Sequence, residues 1–391
     1  MVQDDGSTEG RRESVLVLPS GFKGGIKVPG RDFAQRTRKL SEDILGFLQT
    51  DEHILSAENF PMPEEGGLSE TEYDHRYLGS HHFKLLYALG FLDREQVRRK
   101  PAKRFRPMLV DLICESMGKS PERLIAAKVA IEILHGASLV IDDMDDRERR
   151  RYGLPAFYRR FGEAVARNFS NKMTSNASGL VSKVYGEAFA PGEGFGVALT
   201  DHISDTVNEM ATGQLLEIDV RAEGRRKRYS RYNREVLAEI QRKKTGLFGL
   251  SAKVALTLYQ DFFKNKEDFL TAIGFFEKYL GVFAEWFQGM DDLKDYRNDM
   301  RHKTPNLVGV IKNEDGVSID VAYRSAINHV WTLQQRLQYA GFLDMEALPL
   351  NVRTFADRVG YRLEIPSEII IPSEDVKSLK KGLTPEVAEK V

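Results

Sequence analysis

Apolar residues recur along most of this chain at the three- and four-residue spacing of a helix face. From about Asp32 the period sets Leu40, Ile44, Leu45 and Leu48 on one stripe. It resumes near Tyr77 with Leu78, Phe83, Leu86 and Leu89. The intervening stretch, 51–67, carries Pro61, Pro63, Gly66 and Gly67, the punctuation of a connection. Beyond it the pattern predicts helices near 103–117, 122–146, 158–189, 194–220, 234–258, 263–297, 317–340 and 351–363. Strand-like alternation is missing apart from the short VLVLP run at 15–19, and no period of 20–50 residues repeats. The expectation is an all-α fold, one large helical bundle over 34–365. A flexible Gly-, Ser- and charge-rich tail at 1–33 precedes it and a polar tail at 366–391 follows.

Composition narrows the class. Of 391 residues, 41% are apolar and 29% charged, ordinary for a soluble globular protein with a sizeable core. The formal net charge of -1 offers no field that would gather nucleic acid. A local exception begins at Asp219 and holds Arg221, Arg225, Arg226, Lys227, Arg228, Arg231 and Arg234. Such a run reads first as a solvated connection, with nucleic acid or an anionic membrane surface as alternatives. The single cysteine, Cys114, lies in an apolar run and reads as a buried thiol that fits a reducing compartment. No stretch approaches the roughly 18 uninterrupted apolar residues of a membrane span, and the first residues lack the apolar core of a secretory signal. The expected location is cytoplasmic.

Two acidic motifs carry the chemistry. Asp142-Asp143-Met144-Asp145-Asp146 and Asp291-Asp292-Leu293-Lys294-Asp295 both read DDxxD. On a helix, residues four apart share a face, so Asp142 points with Asp146 and Asp291 with Asp295. Like charges at that spacing destabilise a helix unless a cation sits between them. Each motif closes a strongly apolar stretch, where unpaired acids are costly. At ordinary Asp frequency, one chance DDxxD in such a chain has odds of roughly one in ten and two roughly one in two hundred. The bland alternative is a pair of solvated helix ends. No Cys/His cluster accompanies the acids, which argues against zinc. Carboxylates favour Mg²⁺, which keeps waters and takes phosphate oxygens, so the pair suggests chemistry on a diphosphate.

With these motifs in view, the chain resembles the trans-isoprenyl (polyprenyl) diphosphate synthase family, of the geranylgeranyl diphosphate synthase kind, over about 75–345. Ala102-Lys103-Arg104-Phe105-Arg106-Pro107 is similar to the family's GKxxRP element. His135 stands seven residues before the first motif, where members carry His or Gln. Arg151, Gly153 and Pro155 follow the first motif in family order, whereas Tyr152 replaces the family's second arginine. Gly213-Gln214-Leu215-Leu216-Glu217 resembles GQxxD, and Lys244-Thr245 resembles the KT pair. Gln288 precedes the second motif, and Lys303-Thr304-Pro305 resembles a lysine element in a shortened loop.

The resemblance implies an isoprenoid synthase bundle with a central apolar cavity, an expected homodimer. It implies a prenyl transferase that condenses an allylic diphosphate with isopentenyl diphosphate. Asp142, Asp143, Asp146, Asp291, Asp292 and Asp295 would hold three Mg²⁺ ions, with Glu217 in support. Arg151, Lys244, Thr245, Gln288 and Lys303 would hold the allylic diphosphate; Lys103, Arg106 and His135 would hold isopentenyl diphosphate. Asp142, Asp146, Lys244 and Asp291 would be the catalytic set. Ala137 and Ser138, small residues just before the first motif, imply a product of at least four isoprene units, with Phe169 and Met173 as a deeper floor. Two alternatives share this fold: a terpene synthase that cyclises one allylic diphosphate, and a non-catalytic regulatory subunit.

Overall fold

The structure, a computed structural model, describes residues 30–50, 81–91, 104–186, 199–225, 233–302 and 305–343. Its helices are α1 (Gly30–Thr50), α2 (His81–Ala88), α3 (Phe105–Ser116), α4 (Ile125–Asp145), α5 (Phe157–Phe161) and α6 (Glu163–Tyr185), then α7 (Leu199–Arg225), α8 (Arg234–Lys244), α9 (Leu247–Leu258), α10 (Lys266–His302), α11 (Leu307–Asp315) and α12 (Ile319–Leu343). A two-stranded antiparallel hairpin, β1 (Arg150–Arg151) and β2 (Leu154–Pro155), is the only sheet among the described residues. The all-α class holds. The 351–363 helix, the VLVLP run, most of the 1–33 tail and the 366–391 tail lie outside the described residues.

Glycines and caps explain where the elements differ from the periodic reading. The 158–189 helix divides into α5 and α6 at Gly162, whose φ of 88° is open to glycine but disfavoured for other residues. The 234–258 helix divides after Lys244, so that α8 ends on three basic residues suited to a helix C-terminus. Periodicity did not reveal α11. Its start is set by Asn306, whose side chain accepts from Val308 N at 2.9 Å, and by Asp292, which accepts from Leu307 N at 3.0 Å.

Helix α4 sits at the centre and packs mainly on α6, with α1, α3 and α9 also against it. Ala127, Val129, Ile131, Ile133 and Leu134 are all buried, so the helix is apolar around most of its circumference. By length and composition, Glu122–Asp145 would pass for a membrane span, yet it is mostly covered by its neighbours here. Two buried charges in its middle are paired: Lys128 Nζ lies 2.8 Å from Asp111, and Glu132 binds Arg104. Burying such groups is tolerable only with partners. An aromatic cluster of Phe105, Phe248, Phe283 and Phe287 ties α3, α9 and α10.

Candidate active site

The first acidic motif occupies the last turn of α4, and the second lies within α10. In the first, the second aspartate turns away from its neighbours. Asp143 is only 2% exposed and accepts from Arg151 Nε at 3.0 and 3.2 Å and from its Nη2, which ties α4 to the hairpin. Burial raises the Asp143 pKa and Arg151 opposes it. The second motif repeats the division of labour with other partners. Asp292 is buried and accepts from Gln241 Nε2 and from Leu307 N, each at 3.0 Å, and from the Gln288 amide. Burial holds its carboxyl well above the usual range.

Helix α7 faces the first motif with Gln214, Glu217 and Arg221, three and four residues apart on one face. Gly213 permits a close approach of α8: a Cβ there would lie 2.7 Å from Lys243 Cβ and 2.9 Å from Lys244 N. The outcome is a chain of alternating charge. Arg221 Nη1 is 2.5 Å from Asp146, and its other amine binds Glu217. Glu217 also accepts from Lys244 Nζ at 2.5 Å, and Lys244 reaches Asp142 at 3.9 Å. Gln214 Nε2 donates to Asp145 at 3.0 Å. Burial, with Asp146, Glu217 and Asp143 adding to it, pushes Asp142 up to about 6 against the pull of Lys244. Burial works against the Lys244 and Arg221 cations, but the surrounding carboxylates raise both pKa values.

The helix that carries the second motif comes near the first motif one turn beyond Asp295. Asp299, one turn beyond Asp295, accepts from Asn306 Nδ2 at 2.8 Å. Burial first, then Asp295 and Asp146, push it up to about 6, while Arg221 pulls it down. Asp299, beyond the second motif, thus lies near enough to Asp146 and Arg221 for their charges to act on it. Asp291 is half-buried, and Asp295 is exposed beside Lys294 at 3.4 Å. Thr245 is buried, and its hydroxyl donates to Gln241 O at 2.6 Å, within its own helix turn.

Among the described residues no three His, Cys, Asp or Glu side chains close into a metal cage. Carboxylates strung along two helices instead suit hard ions that complete their shell with water and phosphate oxygens. Burial first, and neighbouring carboxylates second, lift Asp142 and Asp299 to about 6, the setting in which a bound cation would be favoured.

A second polar cluster, buried, lies between α3, α4 and the hairpin. Arg106 Nη1 donates to His135 Nε2 at 3.0 Å, and its guanidinium sits 4.7 Å from the Phe248 ring centre. Burial, then the Arg106, Arg104 and Arg151 charges, hold His135 well below its usual pKa. A neutral ring accepting at Nε2 carries its proton on Nδ1, which is buried without a partner. Arg104 is spent on Glu132 and on Leu89 O at 2.7 Å. Tyr152 adopts a φ of 52° and lays its ring against Gly90, where a Cβ would come within 2.8 Å of it. Burial raises its pKa, as Glu132 also does, so the phenol stays protonated. Lys103, Lys303 and Thr304 lie outside the described residues.

Beneath the first motif an apolar cavity of about 400 Å³ runs between α4, α6 and α7. Leu134, Ala137, Ser138, Ile141, Ser170, Thr174, Val207 and Met210 line it, and Asp142, Asp145 and Lys244 stand at its polar end. Phe169 and Met173 are buried behind it: Phe169 stacks on Phe157 at 5.4 Å, and Met173 packs against Gly136. The helical register turns Ser170 and Thr174 to the cavity instead. Sequence reasoning also missed Asp145, Gln241, Arg221 and Asp299. Asp299 was findable, since it extends the stripe of Asp291 and Asp295 by four residues.

Comparison with known proteins bears on this arrangement. Residues 94–306 match the family described as polyprenyl synthetase. A geranylgeranyl diphosphate synthase of Methanosarcina mazei is 26% identical over 230 residues, 56% of this chain and 66% of that protein. A geranylgeranyl pyrophosphate synthase of Geoglobus acetivorans is 28% identical over 229 residues, with the same shares. The match therefore spans just under two thirds of these relatives. Among solved structures, the geranylgeranyl pyrophosphate synthetase of Geoglobus acetivorans superposes with a TM-score of 0.56 at 19% identity, covering 85% of this chain and 99% of that one. A T. brucei farnesyl diphosphate synthase gives 0.61 at 14%, covering 85% and 99%. At these identities the structures speak to the shared helical fold.

Proposed function

We propose that this chain, which belongs to the polyprenyl synthetase family, condenses an allylic diphosphate with isopentenyl diphosphate to a trans-prenyl diphosphate of C20 or longer. The observation that carries the reading is the acidic cleft itself. The first carboxylate cluster stands at the polar end of an apolar cavity with Lys244 and Arg221 paired to it, and Asp299, one turn past the second motif, lies within electrostatic reach of Asp146.

Asp142, Asp146, Asp291 and Asp295 are the residues to hold Mg²⁺, whereas Asp143 and Asp292 hold the walls in place through Arg151 and the start of α11. Bound Mg²⁺ would neutralise charge on the diphosphate. Lys244 lies at the head of the cavity, where an ammonium stabilises the negative charge that grows on a departing diphosphate. The apolar walls from Leu134 to Met210 exclude water from an allylic cation. Arg106, His135 Nδ1–H and the Tyr152 hydroxyl offer donors to a second diphosphate. The reading includes a homodimer, which sedimentation of the purified chain would test.

Purified protein given Mg²⁺, isopentenyl diphosphate and each allylic primer should yield products of C20 or longer by mass spectrometry. No elongation with any primer sinks the proposal. Ala137→Tyr should shorten the product by at least one isoprene unit, because Ala137 lines the cavity. One feature favours a second reading, cyclisation of a single substrate. Two arginines beside the buried Arg106–His135 cluster are already committed, Arg104 to Glu132 and Arg151 to Asp143. A hydrocarbon formed without isopentenyl diphosphate would select it.

A further inference from the structure

Arg221 stands out from the basic run in which it is written. Arg225 ends α7 and Arg234 starts α8, but Arg221 points toward the first motif with a side chain only 13% exposed. It holds Asp146 at 2.5 Å and Glu217 with its two amines, and its buried Nε has no partner. It also lies close enough to Asp299 to lower that group's pKa. No other described cation is placed among Asp146, Glu217 and Asp299 together; Lys244 serves the Asp142 side.

We infer that Arg221 is a positioning residue, a built-in counter-ion that ties Asp146 to Glu217 before metal arrives and turns to the diphosphate once divalent ions take over Asp146. The inference rests on the reading of the walls as metal ligands. The geometry fits an exchange. A guanidinium presents five donors in a planar fork, which suits carboxylates and phosphates alike. Here two sides of that fork are engaged by acids that a divalent ion would claim, and the third, Nε, faces no acceptor. Arg221 therefore competes with the metal for the carboxylates and cooperates with it for the polyphosphate.

Two opposed effects follow from one substitution. In calorimetric titrations of the full-length chain with MgCl₂ and no substrate, Arg221→Gln should bind Mg²⁺ about tenfold more tightly than the parent. Arg221→Lys keeps the charge but cannot span two carboxylates, and should bind about threefold more tightly. At saturating Mg²⁺, inorganic pyrophosphate should bind Arg221→Gln about tenfold more weakly. A purely structural role would weaken both ligands together. Unchanged or weaker Mg²⁺ binding in whichever variant folds, by circular dichroism, overturns the inference alone. No Mg²⁺ uptake by the parent protein overturns the reading of the acidic walls and this inference with it. Arg167, exposed on α6 and paired with Glu163, gives the control: Arg167→Gln should leave both affinities unchanged.

Discussion

The two DDxxD motifs are alike in sequence and unlike in physical setting. The first ends α4, where unpaired carbonyls concentrate negative charge and make further carboxylates unfavourable. Four acids crowd that turn, and cations answer them: Arg151 on Asp143, Arg221 on Asp146, and Lys244 near Asp142. The second lies inside α10, away from a helix end, and its one buried acid, Asp292, is met by neutral donors, as is Asp299 one turn beyond the motif. Asp292 takes two side-chain amides and a backbone N–H, and Asp299 takes the Asn306 amide. One motif thus imposes an electrostatic debt that a hairpin and two further helices offset. The other serves as a hydrogen-bond hub that starts the next helix. The same five letters acquire different roles from their place along a helix.

The comparison predicts a ranked set of responses. The largest belongs to what the motifs share. Asp142→Asn and Asp291→Asn should each lower kcat/KM about a thousandfold, since a metal ligand supplies several kcal/mol of charge stabilisation. A loss under tenfold at either position in steady-state assays would remove that wall from the chemistry.

The middle aspartates should differ from each other. Asp143→Asn breaks a buried charge pair and should cost about 2 kcal/mol in urea denaturation. Asp292→Asn keeps an acceptor for the Leu307 N–H and removes a buried charge, so its cost should stay under about 1 kcal/mol. Equal costs would erase the distinction between a charged and a neutral partner set.

The smallest effect is in pH. Asp142 and Asp299 are both raised to about 6, so each binds its proton more tightly folded than unfolded. For a raised carboxyl, the stabilising contribution is complete below the unfolded value near 4 and is lost as pH rises through about 6. In the presence of a chelator, Asp299→Asn should therefore gain about 2–5 °C of Tm relative to the parent at pH 7.5. That gain should fade by pH 4.5. An unchanged difference between the two pH values would mean that the cleft does not crowd its acids. Added Mg²⁺ should shrink the pH 7.5 difference, because a bound ion relieves the same repulsion.

The sequence alone determined the fold class, the two motifs and the faces they share. Each depends on spacing along one helix: Asp142 with Asp146, and Asp291 with Asp295. It also fixed the place of Ala137 and Ser138 on α4 by their offset from Asp142, and both line the apolar cavity. Only the tertiary structure decided what lies between elements. Arg221 read as part of a solvated basic run, yet α7 carries it against Asp146. Phe169 and Met173 read as a cavity floor, yet the register of α6 turns Ser170 and Thr174 inward instead. Packing also chose the donors that meet Asp143 and Asp292: Arg151 for one and the first turn of α11 for the other. The physical reason is range. Helical periodicity is a local property written every three or four residues, whereas the partner of a buried charge is chosen by whichever chain segment packs against it, here from 8 to 75 residues away.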